Sequence, residues 1–304
     1  MRLRKGVLDN PVLNIAFCRL MYLFPPQKRN AKSYKKLFYK NLDYQNTDTF
    51  AAELIKRMSG SAYRDRLYQY ADKYLVREYV SSAAGKDLLV PLIGVYDKVS
   101  DIPWDKLSDG VIIKANNGSR FNIVYDSSGN KLYYKWLLNR WLRLDYSFFA
   151  GEMQYSRIVP KILIEKNIAL GYSLLEEYSC YAFGGKTEFV YYYNSNKEKT
   201  ELTRSMEKTE FSFNRHSGNT SVNKDDFFRV IDYADMLAEP FGFVRVDFMV
   251  SGHRIYFCEL TFSPRAGMAA FSPDRYNSIF CEKLKATDII NKKITADELR
   301  KNGD

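Results

Sequence analysis

Histidine is nearly missing from this chain. Only His216 and His253 occur in 304 residues, which argues against a histidine-rich metal centre and against triad chemistry. Cysteine is sparse as well. Cys18, Cys180, Cys258 and Cys281 lie far apart and form no C-x-x-C pair, so neither a disulfide framework nor a zinc site is expected. They read as buried thiols in a reducing compartment, the cytoplasm. Acids are in deficit: 36 Asp and Glu face 46 Lys and Arg, a net charge of +10. That balance suits either a lysine-rich surface or an anionic partner, whether nucleotide, nucleic acid, acidic membrane surface or acidic saccharide. Long apolar runs are also lacking. After basic Met1 to Lys5, the stretch from Val12 to Phe24 imitates a signal peptide, but Asn14 and Arg19 interrupt it. Pro25 and Pro26 end it with no small-residue cleavage site. Roughly a dozen residues fall short of the about 20 that span a bilayer. A packed helix is the reading, with a peripheral membrane contact as the alternative.

What is present is enough hydrophobic content, 46% with 15% aromatic, to bury the core of one large domain or of two or three small ones. The most informative stretch runs from Gly242 to Pro264. Phe243, Val244, Val246, Phe248 and Val250 mark one strand, Ser251 to His253 a turn, and Ile255 to Leu260 the returning strand. Asp247 and Glu259 interrupt these apolar strands. Pairing about the turn sets the two carboxylates opposite each other. Buried acids at that distance repel unless something positive lies between them. Hard oxygen donors so placed suit Mg²⁺ carrying nucleotide phosphates. Arg245, two residues before Asp247, shares its face.

In chain order, residues 28 to 45 are basic and aromatic, a polyanion patch or an amphipathic helix with a solvated lysine face. Asn46 to Phe50 cap a helix that runs through Arg57 and is broken by Gly60-Ser61. Periodicity predicts one helix from Tyr63 to about Ala83, with Lys73 and Arg77 a turn apart. Leu88 to Tyr96 reads as an edge or irregular strand because it contains Pro91. Gly110 to Val124 reads as strand, polar loop, strand. Lys114 ends its apolar run and asks for an anion. Asn116-Asn117-Gly118-Ser119 is either a phosphate-cradling nest or an ordinary turn, and it lacks the Walker A spacing. Lys131 to Phe149 is helical, and Lys161 to Glu165 is a strand ending in a carboxylate. A hairpin runs from Glu176 to Tyr193 around Gly184-Gly185-Lys186. Residues 194 to 222 form a polar connection. A helix spans Phe227 to Leu237, and the tail beyond Lys283 is charged and helical. Arg120, Lys186 and Arg265 are candidate contacts for a substrate carboxylate, from charge and position.

The order of these segments resembles the ATP-grasp superfamily, and in particular its TupA-like branch, named for teichuronopeptide biosynthesis. The segments that carry it are Asp72 to Val80, Leu89 to Tyr96, Ile113 to Ser119, Pro160 to Glu165, Phe183 to Lys186, Phe243 to Phe248 and Glu259 to Phe262, within roughly residues 45 to 280. The resemblance implies an α+β fold in which two subdomains grip ATP, preceded by a basic helical region. Divisions are expected at 1–60, 61–109, 110–168, 169–285 and 286–304. It implies that Lys73 and Lys114 hold phosphates and that Asn116, Asn117, Gly118 and Ser119 close over them. It further implies that Glu165 and the backbone at Lys166 and Ile168 meet the adenine, and that Glu177 meets the ribose. Asp247, Glu259 and Thr261 would hold Mg²⁺. Arg245, with Lys114, would stabilise charge on the transferring phosphoryl group. There are departures. Thr261 stands where the superfamily usually has Asn, Asn117 and Arg120 where relatives often have His and Gly, and Ser179 replaces a frequent Lys.

The implied activity is ATP-dependent carboxylate–amine ligation through an acyl phosphate. The carboxylate would belong to a uronic acid of a capsular or other bacterial surface polysaccharide, the amine to an amino acid or small amino alcohol. No nucleic acid partner is implied, and a peripheral contact with the membrane or polysaccharide-assembly enzymes stays open. The rival readings are a saccharide kinase on the same fold and a non-catalytic polysaccharide-binding protein.

Overall fold

The computed structural model describes residues 23–169, 175–212 and 221–290. Two antiparallel sheets face one another, each with a helix on its outer side. The smaller has strand order β1-β4-β2-β3, from β1 Leu92–Tyr96, β2 Ile112–Ala115, β3 Asn122–Val124 and β4 Ile162–Glu165. β1 lies at the sheet edge, as expected, but it begins just after Pro91 and not at Leu88, which ends a 3-10 turn. Alternation along β2 and β4 sends Ile113, Ala115, Ile162 and Ile164 to the back, where they pack with Leu137, Leu138 and Trp141. Those three are the inner face of α5, Lys131–Arg143, capped by Asn130, whose carboxamide accepts from the Leu132 and Tyr133 amides. Lys114 and Glu165 therefore point forward.

The larger sheet runs β7-β6-β5-β8-β9, built from β5 Leu175–Phe183, β6 Lys186–Tyr193, β7 Lys199–Thr203, β8 Phe243–Ser251 and β9 Arg254–Thr261. Tyr178, Cys180, Val244, Val246 and Phe248 form its back, covered by Phe227, Val230, Ile231 and Ala234 of α7, Lys224–Ala238. Its front carries Glu177, Ser179, Arg245, Asp247, Glu259 and Thr261. Four further helices pack around this core: α1 Pro26–Phe38, α2 Phe50–Met58, α3 Ser61–Ala71 and α4 Val76–Ala84. A short α6, Tyr146–Ala150, follows α5, and α8, Arg275–Lys285, packs on α2. Along α1 Tyr34 is buried and the lysines face solvent, the amphipathic alternative of the sequence reading.

Three expectations are corrected. The helix expected from Tyr63 to Ala83 is two, because Asp72 adopts an extended backbone (φ −72°, ψ 116°) and ends α3. Its carboxylate then accepts from the Tyr74 amide at 2.7 Å and the Leu75 amide at 3.3 Å, an Asx-type start for α4. The helix expected from Lys131 to Phe149 also divides, with Asp145 capping the second piece through the Phe148 amide. The connection 194 to 222 contains a strand, β7. Of the remaining expectations, the apolar segment from Val12 lies outside the described residues but for its last two positions, and the tail lies outside them beyond residue 290. No helix among the described residues is long and apolar enough to cross a membrane.

Candidate functional site

The β8–β9 hairpin closes on Gly252 and His253, both with positive φ (56° and 63°), the backbone of a type I′ turn. Ser251 pairs with Arg254, and a regular register from there would set Cys258 opposite Asp247. A bulge between Asp247 and Phe248 changes the count, and Asp247 instead faces Glu259 while Phe248 faces Phe257. The expected opposition of the two acids thus holds by means of one extra residue, Cys258. Arg245 Nε lies 2.7 and 3.0 Å from the two Asp247 oxygens, and its Nη2 lies 2.5 Å from Oδ2. The same guanidinium is 3.1 Å from the Thr261 hydroxyl and 3.6 Å from Glu259. Thr261 Oγ1 in turn lies 3.0 Å from Glu259 and 3.3 Å from Asp247. Ser179 pairs with Asp247 across β5 and hydrogen-bonds its carboxylate. Burial pushes the Asp247 carboxyl up, against the pull of Arg245. Burial acts the same way on Glu259, but Lys73 and Arg245 hold it below its ordinary range.

Lys73 sits in the turn between α3 and α4, not within a helix. Its Nζ donates to the Gly118 carbonyl at 2.7 Å and lies 3.5 Å from Glu259. It therefore links the loop after β2 to the acid on β9. Asn116 and Asn117 act through their side chains. The Asn116 carboxamide donates to both Asp72 oxygens at 3.0 Å and to Val159 O at 3.0 Å, and accepts from the Lys161 amide at 2.7 Å. Asn117 donates to the Trp141 carbonyl at the end of α5, at 3.1 Å. A Cβ on Gly118 would meet the Phe121 and Tyr146 rings at 2.7 to 2.9 Å, and Tyr146 is hydrogen-bonded to Ser119. The loop is pinned at both ends.

Lys114 Nζ lies 2.6 Å from Glu165. Arg77, unassigned in the sequence reading, holds the other Glu165 oxygen at 3.1 Å and the Val90 carbonyl at 2.8 Å. Beyond Glu165 the cleft becomes apolar. Val90, Ile168 and Tyr256 cluster there with Leu175 and Met249, beside the exposed Lys166, whose amide donates to Pro91. Glu177, on the same face as Met249, pairs with Lys197 at 2.5 Å. One end of the cleft thus suits a flat apolar ring and the other suits phosphates and cations.

Sequence reasoning gave Glu152 no role. It is 6% exposed, in the turn after α6. It accepts from the Ser263 hydroxyl, which itself accepts from Gln154 at 2.5 Å. Burial, with repulsion from Glu259, raises its pKa to about 7 against the opposing hydrogen bonds and the attraction of Lys73. Its only signal in the sequence is a single acid in a loop.

The three candidate carboxylate contacts are not brought together. Arg120 is exposed on the loop with φ 63°, and Arg265, φ 58°, sits close enough to Tyr181 to affect its ionisation. Lys186, at the start of β6, has its ammonium 3.4 Å from Asp235 of α7, which Arg204 also pairs at 2.7 Å. That is a structural role away from the cleft. Among the described residues no group of three or more His, Cys, Asp or Glu side chains gathers around one point. Two carboxylates and a hydroxyl nevertheless form a donor set that fits Mg²⁺, which retains waters and takes phosphate oxygens. Arg245 and Lys73 supply positive charge beside these acids.

Among curated proteins no relative is found. Solved structures to which the chain is similar include the D-alanine–D-alanine ligase of Bacillus anthracis complexed with ATP (TM-score 0.41, 17% identity), covering 72% of this chain and 64% of that one. The Helicobacter pylori enzyme (TM-score 0.42, 17% identity) covers 72% of this chain and 61% of its own. That of Coxiella burnetii (TM-score 0.42, 13% identity) covers 76% and 56%. The chain spans less than two thirds of the length of these three. The TupA-like ATP-grasp family model matches residues 52–285, well over half of the sequence, across both sheets and every residue of the cleft described above. The chain belongs to the TupA-like ATP-grasp family.

Proposed function

We propose that this protein is an ATP-dependent carboxylate–amine ligase that joins an amino acid or small amine to a uronic acid of a bacterial surface polysaccharide. The observation that carries the ligase reading is the shared cluster of Asp247, Glu259, Thr261, Arg245 and Lys73, facing Lys114 across the cleft. Adenine would occupy the apolar end formed by Val90, Ile168 and Tyr256, with Glu165 released from Arg77 or Lys114 to accept from its amino group. Lys73 and Lys114 would neutralise phosphate oxygens. Mg²⁺, held by Asp247 and Glu259 with Thr261 beside them, would supply charge neutralisation to the phosphates.

In this mechanism the substrate carboxylate oxygen attacks the γ-phosphorus, ADP leaves, and a mixed acyl phosphate results. The amine then adds to the carbonyl carbon, and the tetrahedral intermediate expels inorganic phosphate as the amide forms and a proton is lost. Arg245, rigidly held by Asp247, is a preorganised donor where negative charge grows on the phosphoryl group and on that intermediate. No side-chain nucleophile takes part. The work is positioning and charge.

The test is incubation with Mg-ATP, uronic-acid glycans and pooled amino acids, with ADP, phosphate and product mass measured. ADP release that needs both substrates, and a product heavier by an amino acid less water, supports the ligase. A product heavier by phosphate, with no need for an amine, would replace it with a saccharide kinase.

A further inference from the structure

Two cations hold Glu165, one more than its single charge needs. Lys114 Nζ lies 2.6 Å from one carboxylate oxygen and Arg77 Nη1 lies 3.1 Å from the other. The two cations are not equivalent. Lys114 is one ammonium on a flexible stem, with its side chain 24% exposed against 17% for Arg77. Arg77 leaves the first turn of α4. The Val76 amide there donates to the Asp72 carbonyl at 3.0 Å, and Val76, Tyr79 and Val80 are buried along the helix. The Arg77 guanidinium also works as a fork. While Nη1 holds Glu165, Nη2 donates to the Val90 carbonyl at 2.8 Å. Val90 lines the apolar end of the cleft with Ile168 and Tyr256. The segment around Val90 touches both sheets. Leu89 bridges to Phe257 of β9, and the Pro91 carbonyl accepts from the Lys166 amide, next to Glu165, at 3.0 Å. One planar group thus ties the acid at the end of β4 to the apolar wall beside it.

We propose that Arg77 is a positioning residue for nucleotide choice: it holds Glu165 in place when Lys114 turns to the phosphates, so that the cleft takes a 6-amino purine and rejects a 6-oxo purine. This rests on the ATP-binding reading above. Of the two cations, Lys114 is the one that can leave, because it makes one contact here and phosphate oxygens compete for it. Arg77 stays, because its second arm is fixed on a backbone carbonyl. The departure of Lys114 leaves one Glu165 oxygen without its donor. An N–H of the adenine 6-amino group takes that place, whereas the 6-oxygen of hypoxanthine or guanine would set lone pairs against a carboxylate. Without the fork, the carboxylate is free to turn from the edge of the base. Adenine then loses its acceptor and a 6-oxo base loses its repulsion. The step that frees Lys114 would also leave a buried acid with no cation, which is costly.

The experiment is calorimetric binding of Mg-ATP and of Mg-inosine triphosphate to the full chain and its variants, read as the ratio of the two affinities. Wild type is expected to prefer ATP. Arg77→Lys keeps the charge but cannot hold an acid and a carbonyl as a fork. It is expected to cut that preference about tenfold, in the range of one charge-assisted hydrogen bond. Arg77→Gln is expected to cut it at least as much. In a Glu165→Gln background the preference is expected to be lost already, and Arg77→Lys to change it less than about twofold, because Arg77 acts through the acid. A purely structural Arg77 would weaken both nucleotides together, so an unchanged ratio in both Arg77 variants would overturn the proposal. So would an equal change of ratio with and without Glu165. Wild type that binds both nucleotides alike overturns it while leaving nucleotide binding standing. Wild type that binds neither overturns the ATP reading along with it.

Discussion

Replacing Glu152 with glutamine is expected to stabilise the protein, and to do so only above mildly acidic pH. The carboxyl is buried and its pKa is raised from 4.5 to about 7, chiefly by desolvation and secondly by Glu259. Between these two values the folded chain keeps a proton that the unfolded chain has lost. Stability therefore falls as pH rises through this window and levels off above about pH 7. The gap, at about 1.4 kcal/mol per pH unit, corresponds to about 3 kcal/mol. Glutamine has the same shape, keeps an oxygen to accept from Ser263, and never ionises. Urea denaturation without nucleotide should find the two proteins nearly equal at pH 5. At pH 8 the variant should be more stable by up to about 3 kcal/mol, or about 6 °C in Tm at roughly 2 °C per kcal/mol for a chain of this size. A difference that stays flat from pH 5 to pH 8 would refute the reasoning, because it would mean that Glu152 is ionised throughout and its burial is compensated.

Arg245→Ala leaves Asp247 buried beside Glu259 without its partner, so a loss of about 3 kcal/mol in urea denaturation is expected, together with at least a hundredfold drop in ADP formation. Gly118→Ala drives a methyl group into the Phe121 and Tyr146 rings. Calorimetry should show Mg-ATP binding weakened about tenfold, a cost of about 1.4 kcal/mol. Asp72→Ala removes the acceptor for Tyr74, Leu75 and Asn116 together. A loss of about 2 kcal/mol or more is expected, since the start of α4 loses its cap and one N–H of the buried Asn116 carboxamide loses its acceptor.

Most strands were legible because burial on one face leaves a period-two pattern. β8 and β9 read directly from alternating Val and Phe, and the acids within them stood out as costs needing an explanation. β7 did not read, because Lys199 to Thr203 is polar in sequence and its burial comes from neighbours that no local pattern reveals. The break at Asp72 was hidden by apolar residues that keep helical spacing on both sides of it. Lys73 was found through its resemblance, but its position in a turn, and hence its reach to Gly118 and Glu259, follows from that break. Lys186 shows the opposite failure. Charge and position nominated it for the cleft, but at the end of β6 beside the Gly184-Gly185 turn its ammonium reaches Asp235 of α7 instead. Glu152 and Arg77 act through contacts far apart in sequence, with Ser263 and with Glu165, and nothing nearby in the chain marks them.

The extra residue at Cys258 fixes which neighbours share the front of the sheet. In a strict strand, positions 256 and 259 would lie on opposite sides. The bulge shifts parity between them, so Tyr256 joins the apolar end of the cleft while Glu259 reaches the cluster at Asp247. What matters at position 258 is therefore the count of residues and not the thiol. Serine or alanine there should be tolerated. Deleting the residue would force a choice between placing a carboxylate among the buried aromatics of the helix layer and losing the ring from the nucleotide-facing wall. The hairpin behaves as a vernier: one unmatched division brings a greasy mark and a charged mark into line on the same edge.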